Sequence, residues 1–169
     1  DVSVFAIRGT VDEVESSCSA FAITPTIALT AAHCAPVLEA PHAVLLTPAA
    51  GATLVRLAVH PDLDLMPLEF DGESLPALPR VREALDERWL GRDAIVAGHG
   101  RTDRYQAGTL HFTTQTIAGF DADHIEARPT GALGACEGDS GGPMLARDGA
   151  GRLVVLGVLS TASVSCRGA

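Results

Sequence analysis

Apolar residues in this chain come in short runs broken by Gly, Pro, Asp and Ser, without the sustained three-and-four spacing of long amphipathic helices. The runs are rich in β-forming residues such as Val, Ile and Thr, so each reads as a strand bounded by turns. In the first half the predicted strands are Val2–Ile7, Ser19–Thr24, Thr26–Ala32, His42–Thr47 and Ala52–Val59. In the second half they are Asp93–Gly98, Gly108–Ile117, Asp123–Arg128, Gly141–Arg147 and Arg152–Thr161. Many short strands at close spacing predict an all-β sandwich or barrel. One stretch breaks the pattern: in VREALDERWL, Val81, Leu85 and Trp89 recur at intervals of four with charges between, the spacing of a short helix. It follows SLPALP, whose prolines interrupt strand formation, and so marks a linker. The organisation read from this pattern is a first β unit over 1–76, a linker over 77–92 and a second β unit over 93–169.

Composition narrows the function classes. With 47% hydrophobic and 20% charged residues, the chain can build packed cores and is not of disordered type. Its net charge of −9, with 12 arginines and no lysine, argues against a nucleic-acid partner, which would need a basic face. The absence of lysine also excludes a Ser–Lys dyad and Schiff-base chemistry. No apolar run reaches the roughly 18 residues of a membrane span, and the first residues lack the basic and apolar regions of a signal peptide. The expectation is therefore a soluble chain without a membrane partner. Cys18, Cys34, Cys136 and Cys166 form an even set suited to two disulfides and an oxidising compartment, with three pairings open. No two of them have zinc-ligand spacing, and no metal or cofactor is expected.

Candidate chemistry lies in three places. ACEGDSGGPML puts Ser140 in a glycine-rich turn, LTAAHCAP carries His33, and VHPDLDLMPLEF places Asp64 before an apolar run. A nucleophilic serine needs a base, and the base needs a carboxylate to fix its tautomer and stabilise its charged form. Histidine suits the base because its ordinary pKa, about 6.5, lies near neutral pH. Taken alone, a histidine is more often a packing or surface residue, and a Ser or Asp in such context an ordinary turn residue. Their joint occurrence in the order His, Asp, Ser reverses those odds. His42, His60, His99, His111 and His124 show no ligand spacing and read as surface or packing residues.

Together, TAAHC, HPDLDLMPL and GDSGGP resemble the chymotrypsin/trypsin-like serine peptidases, and the resemblance extends over nearly the whole chain. It implies two packed antiparallel β-barrels, with His33 as general base, Asp64 as the orienting carboxylate and Ser140 as nucleophile. It also implies an oxyanion hole from the Gly138 and Ser140 amides and disulfides Cys18–Cys34 and Cys136–Cys166. AGHG, Ala97–Gly100, looks like the glycine-flanked turn opening the second barrel, with His99 in the place of an aromatic residue. Asp139 is implied to be a structural carboxylate in need of a buried cationic partner. Two converging N–H groups suit the negative oxygen of a tetrahedral intermediate, and Gly138 gives the backbone freedom to present one.

Where the chain departs from that pattern, specificity and completeness are affected. By alignment on Ser140, Gly134 forms the base of the specificity pocket with Ala135 beside it, so preference for Arg or Lys is not expected. Ser160, Thr161 and Ala162 look like the substrate-binding strand, with Ser160 also bonding Asp64; small to medium apolar residues are expected in the pocket. Glu137 at its rim disfavours acidic substrate residues. Members of the family continue beyond the last cysteine and begin with a segment whose amine pairs with the aspartate before the nucleophile. The expectation here is a second barrel lacking its last strand, completed by a separate chain or segment. The functional expectation is a secreted or periplasmic serine endopeptidase, made as a zymogen and acting on polypeptides. The alternative is a latent or inactive binding module on the same fold, and an esterase of another fold ranks below both.

Overall fold

The computed structural model describes residues 3–46, 51–102, 109–131 and 134–161. In the first half the strands are β1 (Val4–Val11), β2 (Val14–Ala22), β3 (Ile27–Thr30), β4 (Val44–Leu46), β5 (Thr53–Leu57) and β6 (Met66–Asp71). They form one antiparallel sheet in the order β4-β1-β2-β3-β6-β5. A short helix α1 (Ala35–Glu39), entered through Pro36 in its first turn, follows a 3-10 turn at Ala32–Cys34. β6 was not among the predicted strands, because Pro67 and Glu69 interrupt its apolar run. In the structure it alternates cleanly: Met66, Leu68 and Phe70 are buried, whereas Glu69 and Asp71 face solvent. Pro67 sacrifices no acceptor there, since its carbonyl still takes the Ala58 amide at 3.2 Å.

The second half holds β7 (Asp93–Gly98), β8 (His111–Phe120), β9 (Ile125–Pro129), β10 (Pro143–Arg147) and β11 (Leu153–Val158) in the order β11-β10-β7-β8-β9. The expected all-β architecture of two antiparallel units is thus present, six strands against five. The helix expected around VREALDERWL is absent and only Glu87–Trp89 forms a 3-10 turn, capped by the Asp86 side chain on the Arg88 amide at 3.0 Å. The backbone before it is committed elsewhere: Val81 donates to the Val155 carbonyl at 2.9 Å and Val155 to the Pro79 carbonyl at 2.8 Å, which lays the linker along β11. Val81, Leu85 and Trp89 nevertheless all pack against the second core, so the apolar spacing served burial without helix formation. Among the described residues no helix is long and apolar enough to cross a membrane.

Three apolar clusters follow from the strand patterns. One fills the first sheet around Phe5, Ile7, Met66 and Leu68; a second lies beneath Trp89, Val96, Ile117 and Met144. The third joins Val4 and Phe21 of the first sheet to Ala97, Leu145 and Val155 of the second. This explains why Val4–Ile7 and Cys18–Ala22 are buried without alternation: one face of each strand meets its own core and the other meets the opposite sheet.

Cys18 of β2 and Cys34 beside His33 form a disulfide, with Cα atoms 6.2 Å apart across a separation of 16 residues. Closing a loop of that length limits the unfolded chain. Replacing both cysteines by alanine should therefore cost about 3 kcal/mol, read as a lower denaturant midpoint without reductant. An unchanged midpoint would show that the bond adds nothing to stability. Cys136 is also disulfide-bonded; its expected partner Cys166 lies outside the described residues.

Candidate active site

His33 sits in the 3-10 turn that follows β3, and the disulfide at Cys34 fixes that turn against β2. Its imidazole is half exposed, at 49%. Asp64 lies on the β5–β6 connection, which is folded around His60. The His60 ring accepts the Asp62 amide at 3.2 Å and the Leu63 amide at 3.0 Å, while the His60 amide donates to the Leu65 carbonyl at 2.8 Å. His60, read from sequence only as a packing or surface residue, thus shapes the loop that presents Asp64.

Three donors converge on the Asp64 carboxylate. Oδ1 accepts the His33 amide at 2.9 Å; Oδ2 faces His33 Nδ1 at 2.7 Å and accepts the Ser160 hydroxyl at 2.5 Å. Partial burial alone would raise the pKa of this carboxyl, but the Ser160 hydroxyl, the His33 amide and the His33 ring outweigh it and hold the pKa below its ordinary value. A carboxylate at Nδ1 places the ring proton there and leaves Nε2 as the lone-pair nitrogen.

Ser140 enters from the second sheet, in the turn before β10, between Gly138 at φ +92° and Gly141 at φ +83°. Its carbonyl accepts the Ser19 amide at 2.7 Å, and its hydroxyl is directed to the Ser160 carbonyl at 3.4 Å. No hydrogen bond joins that hydroxyl to the His33 ring. The Glu137 carbonyl accepts the Arg101 amide at 2.8 Å and the Asp139 carbonyl the Gly142 amide at 2.9 Å. Because C=O and N–H point in opposite directions across a peptide, these two bonds turn the Gly138 and Ser140 amides the other way.

Asp139 is 8% exposed. Its carboxylate accepts the Gly100 amide on Oδ1 and the Cys136 amide on Oδ2, both at 2.8 Å. Burial pushes this carboxyl up, opposed by those two amides and by the nearby His111 and His99. Among the described residues, the carboxylate rests in a backbone cradle formed by these two amides. Gly98 and Gly100 make room for it, since a Cβ on either would collide with Asp139.

The other predicted positions are placed as follows. Gly134 is half-buried, with Pro129 Cγ 3.1 Å from where a Cβ would stand. Ala135 is buried in the second core, so its side chain packs inward. Glu137 is exposed and pairs with Arg101 at 3.3 Å. Thr161 is exposed next to half-buried Ser160, and Ala162 lies outside the described residues. Cys18, His33 and Cys34 have ligand-type atoms within 4.8 Å of one another, but both sulfurs are committed to the disulfide and offer no thiolate to a metal.

Gly138, Ser140 and Gly142 also spell G-x-S-x-G, the spacing of a nucleophile elbow. That elbow requires a strand-to-helix turn, whereas Ser140 leads into β10, which argues against the esterase reading. Two residues that hold the Ser140 loop, Ser19 and Arg101, were not singled out from the sequence. Their hydrogen bonds are long-range and leave no local spacing to read.

No curated protein matches the chain by sequence. Its fold is similar to the crystal structure of a scabies mite inactivated protease paralogue, S-I1, at a TM-score of 0.68 and 16% identity, covering 92% of this chain and 81% of that one. The Trypsin family model matches residues 3–169. With that match spanning nearly the whole sequence and the two-sheet fold alongside it, the chain belongs to the trypsin family.

Proposed function

We propose that this chain is a serine endopeptidase acting through an acyl-enzyme. The observation that carries the reading is the convergence on Asp64 of the His33 amide, the His33 ring and the Ser160 hydroxyl, with Ser140 against the Ser160 carbonyl. In this reading Ser140 Oγ attacks the peptide carbonyl while His33 Nε2 takes its proton. Asp64 stabilises the resulting imidazolium, and the Gly138 and Ser140 amides hold the oxyanion. His33 then protonates the leaving amine, and a water activated by the same nitrogen releases the acyl group. No cofactor enters these steps.

Gly134 at the pocket base supplies no carboxylate, which supports small to medium apolar residues before the scissile bond over Arg or Lys; Ala135, Glu137, Ser160, Thr161 and Ala162 complete the proposed substrate-binding set. The Cys18–Cys34 disulfide fits an oxidising compartment and so supports a secreted or periplasmic location; a zymogen precursor is proposed with it on the family resemblance alone. A segment completing the second barrel belongs to the same proposal. In the first sheet β6 pairs with both β3 and β5. In the second, the run β10-β7-β8-β9 repeats β4-β1-β2-β3, and no strand joins β9 to β11 among the described residues.

A second reading, a latent binding module, is favoured by one observation: the Ser140 hydroxyl bonds the Ser160 carbonyl and not His33. A fluorophosphonate probe separates the two. The endopeptidase reading expects a phosphonyl adduct on the peptide containing Ser140, found by mass spectrometry, and none in Ser140→Ala. Absence of an adduct on the wild-type chain would leave only the latent reading.

A further inference from the structure

We propose that Ser19 is a positioning residue that sets the geometry of the nucleophile loop from the opposite sheet; the inference rests on the serine-peptidase reading of that loop. Ser19 lies on β2, opposite Ala6 of β1, and is 0% exposed. Its hydroxyl donates to the Gly138 carbonyl at 2.9 Å and accepts the His99 amide at 2.8 Å. Its own amide donates to the Ser140 carbonyl at 2.7 Å, and its carbonyl accepts the Thr30 hydroxyl at 2.7 Å. One buried residue of the first sheet therefore grips two peptide groups of the loop and the start of the β7–β8 connection.

The grip falls where the loop is least restrained by its own covalent structure. Gly138 at φ +92° lacks a Cβ, so rotation about its backbone bonds meets little steric resistance. Rotation of the Gly138–Asp139 peptide would carry both neighbouring amides, including the Ser140 amide, out of line. The Ser19 hydroxyl holds that peptide by its carbonyl, while the Asp139 amide on the Cys136 carbonyl holds it from the other side at 3.0 Å. By also accepting from His99, the hydroxyl keeps the residues next to Gly100 and Arg101 in register. Their amides anchor the Asp139 carboxylate and the Glu137 carbonyl. A hydroxyl is suited to this place because it donates once and accepts at the same time. Alanine would leave a buried carbonyl and a partly buried N–H without the bonds made here.

Ser19→Ala tests the role. The expected result is a kcat lowered roughly 10- to 100-fold with KM within about twofold, because the oxyanion donors act in the transition state and not in ground-state binding. Acylation of Ser140 by a fluorophosphonate should slow by the same factor, and Ser19→Thr, which keeps the hydroxyl, should recover most of the rate. Hydrogen exchange provides a readout independent of turnover: the His99 amide should exchange at least tenfold faster in Ser19→Ala while amides of β3 keep their protection. A folded Ser19→Ala chain with wild-type kcat, or a loss confined to KM, would overturn the proposal. If the wild-type chain is not acylated at Ser140, the peptidase reading falls. The exchange result then decides alone, and unchanged His99 exchange refutes the clamp. Should Ser19→Ala not fold, the Ser19→Thr comparison decides: wild-type His99 exchange with most of the rate kept supports the clamp, and a folded Thr variant with faster His99 exchange but wild-type kcat refutes it.

Discussion

Asp64→Asn is expected to lower kcat by roughly four orders of magnitude near neutral pH while KM changes little. The carboxylate takes the His33 amide on one oxygen and the His33 ring with the Ser160 hydroxyl on the other. An asparagine offers one acceptor in place of two. If its oxygen takes the amide, its NH2 group faces the ring and the hydroxyl, which favours the tautomer with the proton on Nε2. Ser140 would then meet an N–H where it needs a lone pair. A loss of only tenfold would mean that Asp64 does not orient the base.

The same variant has a pH signature. The native Asp64 pKa lies below the ordinary carboxylate value of about 3.9, so the folded chain binds this proton less readily than the unfolded one. The resulting stabilisation is fully present above the unfolded value and is lost as pH falls through the lower native one. The melting-temperature gap between wild type and Asp64→Asn should accordingly narrow from about pH 5 towards pH 2. A gap independent of pH would remove the carboxylate's charge from the account.

Gly141→Ala is expected to destabilise the chain by about 3–5 kcal/mol, lowering the melting temperature by roughly 10 °C or more. Two costs combine there. The backbone is left-handed, at φ +83°, and an added Cβ would collide with the Thr30 hydroxyl and the Ser19 carbonyl and come within 2.9 Å of the Ala31 amide. Gly151→Ala is the control, since its φ is +78° but nothing lies within 4 Å of the added carbon. It should lose only the backbone cost, about 1–2 kcal/mol. Equal losses in the two variants, measured by thermal or denaturant unfolding, would show that the first sheet yields locally and the junction is not close-packed.

The sequence pattern reached the fold through apolar runs and turns because each strand half reads locally: β7 carries the predicted bounds Asp93–Gly98 unchanged. It failed where a neighbour overrode local preference. Pro67 hid β6, and bonding of the linker to Val155 displaced a helix that the spacing of Val81, Leu85 and Trp89 suggested. The first hairpin also escaped, because Asp12 and Glu13 hold φ of 50° and 68° between Val11 and Val14 without a glycine. In the site, His33, Asp64 and Ser140 stood out through the short motifs around them. The clamp on their loop did not, since Ser19 and Gly138 are 119 residues apart and a hydroxyl-to-carbonyl bond leaves no spacing to read.

The Cys18–Cys34 disulfide does more than pin a turn to β2. Ser19 follows one of its cysteines directly and His33 precedes the other, so the clamp on the Ser140 loop and the proposed base hang from opposite ends of one covalent strut. Displacing the imidazole from the serine must drag that strut or bend the chain beside it. A reductant that opened the bond would therefore be expected to loosen the mounting of both groups at once.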